Sequence, residues 1–134
     1  MPSSDRIVVD TYAWIEYFKG SKEGKKVKKL VESNLELFTP SIVVAELSDK
    51  YRRENMEKEW EIRNKFIRFK TTILHLEEIT ADKAGELKQK LREKYKDAGL
   101  ADAIVWSHAV DINGKILTGD KHLKLLKESL DITR

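Results

Sequence analysis

Short apolar runs rich in β-branched residues alternate along this chain with longer amphipathic segments, which restricts the fold to a few layouts. Ile7–Asp10 reads as a short buried strand. Thr11–Lys19 reads as a helix stopped by Gly20, and Lys22–Glu32 as a second helix with Val27, Leu30 and Val31 on its apolar face. A strand over Leu35–Thr39 leads into a helix from Ser41 to about Asn55, with Pro40 in its first position behind an N-capping Thr39. Glu57–Lys70 continues as helix, with Ile62, Phe66 and Phe69 spaced as a core face. A strand over Ile73–Leu76 precedes a helix capped by Thr80, whose inward face is Ala84, Leu87, Leu91 and Tyr95. An apolar helix over Gly99–Asp111 stops at Asn113-Gly114. A strand over Lys115–Thr118, a helix over Lys121–Lys127 and an edge strand over Leu130–Thr133 complete the chain. Strands alternating with helices predict an α/β fold, a three-layer α/β/α sandwich around a mainly parallel central sheet. The 134 residues suit one domain, residues 1–134, with no linker, repeat or low-complexity tract to divide it.

Four acids stand inside or at the end of apolar stretches, where an unpaired carboxylate is expensive. Asp10 closes Ile7-Val8-Val9, and Glu46 follows Ile42-Val43-Val44-Ala45. Asp102 lies within Leu100–Trp106, and Asp120 ends Ile116-Leu117-Thr118-Gly119. Buried charges are paired or bind metal. Converging carboxylates make an oxygen-lined site suited to Mg²⁺ or Mn²⁺. Asp10 and Asp120 occupy carboxyl ends of predicted strands, where open parallel sheets bind ligands. Each acid also has an ordinary use. Asp10 and Asp120 can cap the helices that follow them, and Glu46 can sit at the solvent edge of its helix. Asp102 is harder to explain structurally, because Asp is a mediocre mid-helix residue. Asp97 either joins the cluster or, the favoured reading, caps the Gly99–Asp111 helix. Thr11 and Thr118 can steady the acids by hydrogen bonds, or can be ordinary strand-end threonines.

Composition removes several alternatives. The chain has no Cys, which excludes disulfides, thiolate catalysis and cysteine zinc sites. His75, His108 and His122 lack metal-ligand spacing, and no phosphate-binding Gly-rich loop or Gly-flanked nucleophilic Ser is present. Ser3, Ser4, Asp5 and Arg6 precede only a three-residue apolar run, so neither a signal peptide nor a membrane span is expected, and the expected location is cytoplasmic. The net charge of +3 is uneven. Residues 19–29 carry six Lys and one Glu, residues 50–70 carry eight Lys/Arg and four Glu, and the rest sums to −6. Basic segments around an acidic remainder suit an anionic substrate beside an acidic centre, although solvated helix faces are the simpler account of either segment alone. Tyr12, Trp14, Tyr17 and Phe18 crowd one short helix. Core packing is the ordinary use of each, yet they cannot all face inward, so part of this helix is a candidate protein interface.

The order of Asp10, Glu46 after Pro40–Ala45, Asp102-Ala103-Ile104 and Thr118-Gly119-Asp120, at intervals of 36, 56 and 18 residues, resembles the PIN-domain family and its VapC-type toxins. The resemblance covers Arg6 to Leu125. It implies a metal-dependent endoribonuclease using Mg²⁺ or Mn²⁺, with Asp10, Glu46 and Asp102 as metal ligands and Asp120 beside them. Thr11 and Thr118 would be the accompanying hydroxyls. It implies RNA as substrate, cleaved to leave a 3′-hydroxyl and a 5′-phosphate, with the Lys/Arg segments on RNA phosphates. It also implies a homodimer silenced by a VapB-type antitoxin lying in a groove between the early helices. Many relatives carry a capping Ser or Thr where this chain has Gly99, which leaves the role of Asp97 open. Rival readings are a nuclease of the same fold without an antitoxin, a phosphoryl-transfer domain and a non-catalytic RNA-binding module. The second lacks its Asp-x-Asp, since Asp10-Thr11-Tyr12 stands there.

Overall fold

A computed structural model describes residues 5–134. Ser3 and Ser4, part of the expectation about a signal peptide, lie outside the described residues. The elements are β1 (Arg6–Val9), α1 (Thr11–Lys19), α2 (Lys22–Val31), β2 (Glu36–Pro40), α3 (Ser41–Arg53), α4 (Glu57–Lys70), β3 (Thr72–Leu74), α5 (Glu78–Lys94), α6 (Leu100–Asp111), β4 (Lys115–Thr118) and β5 (Ser129–Asp131). The strands form one sheet in the order β3-β2-β1-β4-β5, every neighbouring pair parallel. Helices flank it in an α/β/α sandwich, as the alternating pattern predicts. Among the described residues no helix is long and apolar enough to cross a membrane.

β1 is the central strand, and Ile7, Val8 and Val9 are wholly buried. A strand covered on both faces needs a continuous apolar run rather than alternation, which is what this segment supplies. The strand order reverses at β1: β2 lies on one side and β4 on the other. Such a reversal leaves a crevice beyond the carboxyl ends of the two diverging strands. Val9 pairs with Leu117, so the next residues, Asp10 and Thr118, stand side by side at the carboxyl ends of β1 and β4.

Four local expectations are corrected. Ile62 and Phe69 are 70% and 85% exposed and do not form the core face of α4. Trp60 and Ile67 do, with Trp60 stacked on Tyr51 at 5.9 Å, while Phe66 packs at the margin against Tyr17 and Trp14. Apolar residues lie on more than one side of the helix, and the spacing of Ile62, Phe66 and Phe69 selected a side that is largely exposed. Residues 121–127 form consecutive turns, not a helix. The Leu123 carbonyl accepts from Leu126 N–H at 3.0 Å, a tight turn, and from Ser129 Oγ at 2.7 Å as the chain returns to lay β5 beside β4. Thr80 is not a cap, since α5 begins at Glu78 behind an extended Glu77. Thr80 is buried, its hydroxyl on Asp111 at 3.3 Å and its carbonyl accepting from Ser107 Oγ at 2.7 Å. At the start of α3 the N-cap is Pro40, not Thr39. The Thr39 hydroxyl accepts instead from the Trp14 indole at 3.2 Å and bonds Thr71 Oγ1 at 2.8 Å, tying α1 to β2 and the end of α4.

α1 and α2 pack closely against each other. Gly20 closes α1 in the left-handed conformation, φ +67°, which suits a residue without Cβ. Ser21 caps α2 by accepting from Gly24 N–H at 3.0 Å. At Gly24 the helices touch so closely that a Cβ would stand 2.0 Å from the Glu16 carbonyl oxygen. Alanine gains at most about 1 kcal/mol in helix propensity over glycine. Overpacking against a backbone carbonyl costs about 1–3 kcal/mol. The clash therefore wins, and Gly24→Ala should lower unfolding free energy by about 1–2 kcal/mol in urea titration. A stabilised variant would show that α1 and α2 do not pack this closely.

Candidate metal centre

The crevice at the strand reversal collects all four acids. Asp10 follows β1 and is 4% exposed. Glu46 comes from the second turn of α3, Asp102 from the first turn of α6, and Asp120 from the turn after β4. Together with Thr11, Tyr12, Ile15, Val105 and Leu123 they line a cavity of about 210 Å³.

Asp10 performs two tasks at once. Its Oδ1 accepts from Ala13 N–H at 2.9 Å and caps α1, while its Oδ2 accepts from Thr118 Oγ1. The capping reading and the cluster reading of Asp10 thus describe two oxygens of one carboxylate. Thr118 Oγ1 in turn accepts from Asp120 N–H at 2.9 Å, which links the ends of β1 and β4 through a single hydroxyl. Thr11 Oγ1 donates to Glu46 Oε1 at 2.6 Å, joining the first turn of α1 to α3. Asp102 Oδ2 accepts from Gly99 N–H at 3.4 Å. Asp102 lies in the first turn of α6 rather than mid-helix, so the helix dipole favours its charge there. Asp120 caps no helix; its Oδ1 accepts from His122 N–H at 2.8 Å within the turn.

His122 is the residue that spacing missed. Its Nδ1 stands 3.0 Å from Asp102 Oδ2 and 3.5 Å from Asp120 Oδ1, and its Nε2 stands 3.0 Å from Asp97 Oδ1. Asp97 also pairs with Lys121 at 3.0 Å. Asp97 therefore does not cap α6, which begins behind Gly99; it holds the outer edge of the imidazole. Asp102, Asp120 and His122 present ligand atoms within 4.8 Å of one another. The only sequence signal for His122 was its place two residues after Asp120, and a helical reading of that segment concealed it.

The electrostatics follow from this crowding. Burial, offset in part by the bonds from Thr118 and Ala13 and reinforced by Asp120 and Asp102, raises the Asp10 carboxyl from 3.8 to about 7. Burial also raises Asp102, with Asp120 adding to it. Glu46 stands at the mouth as a largely exposed residue, yet partial burial of its carboxylate and the nearby Asp102 and Asp120 raise it as well. Asp97 goes the other way, drawn down to about 2 by the bonds from Lys121 and then His122. Three carboxylates held above their ordinary range are short of positive charge. An all-oxygen set with one imidazole at its edge fits a hard divalent cation.

A carboxyl whose folded pKa is raised favours folding when protonated. Its contribution is greatest at low pH and is lost as pH rises from about 4 to about 7. For Asp10 the full shift corresponds to on the order of 4 kcal/mol. In EDTA, the difference in melting temperature between wild type and Asp10→Asn should therefore favour the variant increasingly from pH 5 to pH 7.5. A difference that stays flat across that range would mean that Asp10 titrates normally.

No curated protein sequence matches the chain. Solved structures do resemble it in fold. A VapBC2 complex from Rickettsia felis bound to promoter DNA superposes with a TM-score of 0.74 at 20% identity, over 94% of this chain and 99% of the other. A toxin–antitoxin complex from Klebsiella pneumoniae gives 0.72 at 19% identity, over 97% and 98%. VapC20 from Mycobacterium tuberculosis, a toxin that cleaves the sarcin-ricin loop, gives 0.68 at 18% identity, over 86% and 90%. The PIN domain profile matches residues 7–128, nearly the whole length. The chain belongs to the PIN domain family.

Proposed function

We propose that this protein is a divalent-metal-dependent endoribonuclease of the VapC toxin type, acting in the cytoplasm and inhibited by a VapB-type antitoxin. The observation that carries the reading is the convergence of Asp10, Glu46, Asp102 and Asp120 on one cavity at the strand reversal. Membership in the PIN domain family supports it, as does the likeness to VapBC complexes and to an RNA-cleaving toxin.

In this reading Asp10, Glu46 and Asp102 hold Mg²⁺ or Mn²⁺ directly or through water, and Asp120 stands beside them. When bound, such an ion keeps the carboxylates ionised, polarises the scissile phosphate and makes water acidic enough to attack at neutral pH. The chain's own residues supply the geometry. Thr118 and the first turn of α1 leave Asp10 one fixed orientation. Thr11 fixes Glu46 across the cavity mouth, and His122 keeps Asp102 and Asp120 at a set separation. Hydrolysis in line with the departing 3′ oxygen leaves a 3′-hydroxyl and a 5′-phosphate. The antitoxin blocks RNA by laying a segment over the seam of α1 and α3, and the active form is a homodimer.

Cleavage of single-stranded and structured RNA in Mn²⁺, Mg²⁺ or EDTA tests the nuclease. Wild type should cut only with metal, and Asp10→Asn and Asp102→Asn should each lose at least roughly 100-fold. Saturating Mn²⁺ should also stabilise wild type, by about 2.7 kcal/mol at a hundredfold excess over Kd. Neither cleavage nor metal stabilisation, with the variants folded as wild type, would sink the reading.

A further inference from the structure

Beside the acid-lined cavity, a groove of about 330 Å³ opens between α1, α3 and α4. Ile15 borders both, so the two lie next to each other along α1. Glu46 and Lys50 are one helical turn apart on α3, as are Thr11 and Ile15 on α1, so each helix carries one face from acid cavity to groove. Within this short distance the charge changes sign: Lys19, Lys50 and Arg63 line the groove, and Glu54 is the one acid among its lining residues. Glu54 pairs with Lys50, and Lys19 pairs with Glu16 at 3.4 Å.

Arg63 differs from the other two. Its guanidinium lies 5.1 Å from the Phe18 ring centre and 4.8 Å from that of Tyr51, and among the described residues it makes no ion pair. The rings are themselves fixed, Phe18 stacked on Trp14 at 5.6 Å and Tyr51 on Trp60. Arg63 is therefore a pre-set, unneutralised fork of N–H donors, and little side-chain freedom remains to be lost when an anion binds. A planar fork of this kind matches two phosphate oxygens. Phe18 also borders the next cavity along α1, which Lys25 and Lys28 line. The two basic stretches of the sequence, 19–29 and 50–70, thus meet on this one side of the acids.

We propose that the Arg63 groove is a phosphate subsite for the single-stranded RNA segment adjoining the scissile bond, with Lys50 beside it and Lys25 and Lys28 continuing the track. The proposal rests on the nuclease reading above. RNA is favoured over an apolar protein segment because the groove offers three cations, one of them with no carboxylate partner among the described residues.

Anisotropy of a fluorescein-labelled single-stranded oligoribonucleotide in EDTA, where cleavage is blocked, tests it with wild type, Arg63→Gln, Lys50→Gln and a control on α5, Lys83→Gln. Arg63→Gln should weaken binding about tenfold or more, as expected for a lost charge-assisted contact. Each groove variant should also flatten the slope of log affinity against log salt by about 0.7, the contribution of one single-strand phosphate, while Lys83→Gln leaves it in place. A merely structural Arg63 would not change that slope in a variant folded as wild type. If Arg63→Gln melts early, Lys50→Gln carries the test, since its side chain lies at the groove edge. RNA cleavage by wild type together with unchanged affinity and slope in both groove variants would overturn the subsite and leave the nuclease standing. Retained RNA affinity with lost antitoxin binding would assign the groove to the antitoxin and likewise overturn it. A wild type that neither binds nor cuts RNA would remove the nuclease reading as well.

Discussion

The carboxylate of Asp10 organises this molecule. One oxygen starts α1 and the other holds the end of β4 through Thr118, so a single side chain joins the central strand, the first helix and the neighbouring strand. Each bond is an ordinary cap or hydroxyl contact. Their joint effect is to fix a buried acid at the point where the sheet order reverses. Both carboxylate oxygens accept hydrogen bonds there, which partly offsets the cost of burial.

The surrounding acids work against that arrangement. Burial penalises the charge on Asp10 most, and Asp120 and Asp102 add repulsion, so the ionised cluster is held at a cost to stability. The compensation visible within the chain is partial. His122 lies between Asp102 and Asp120 on its inner side and Asp97 on its outer side, and Lys121 braces Asp97 from solvent. A site that retains such tension has a use for a cation, and family membership is consistent with one.

Charge is also divided in space. The acids gather beyond the carboxyl ends of β1 and β4, while cations line α1, α2, α3 and α4 next to them. Sequence separation conceals this: Arg63 is 53 positions from Asp10 along the chain but borders the same face of α1. Aromatic residues of α1 are partly spent on this arrangement. Trp14 is buried beneath Phe18, and Phe18 stands 5.1 Å from the Arg63 guanidinium.

The sequence alone determined the layer order and most of the elements, because strand and helix periods differ and each apolar run had only one period to satisfy. It also singled out four acids, since charges among Val, Ile and Leu are conspicuous wherever they end up. Rotation and local partners were decided only in three dimensions. Which side of α4 faces inward depends on Trp60 finding Tyr51, and Thr39 and Thr80 leave their expected caps because buried partners elsewhere suit their hydroxyls better. The stretch 121–127 reads as helix by propensity, yet it forms turns because β5 must return to β4. That return brings His122 back over Asp102. No spacing rule marks such a histidine, because its position is set by a strand pairing formed later in the chain.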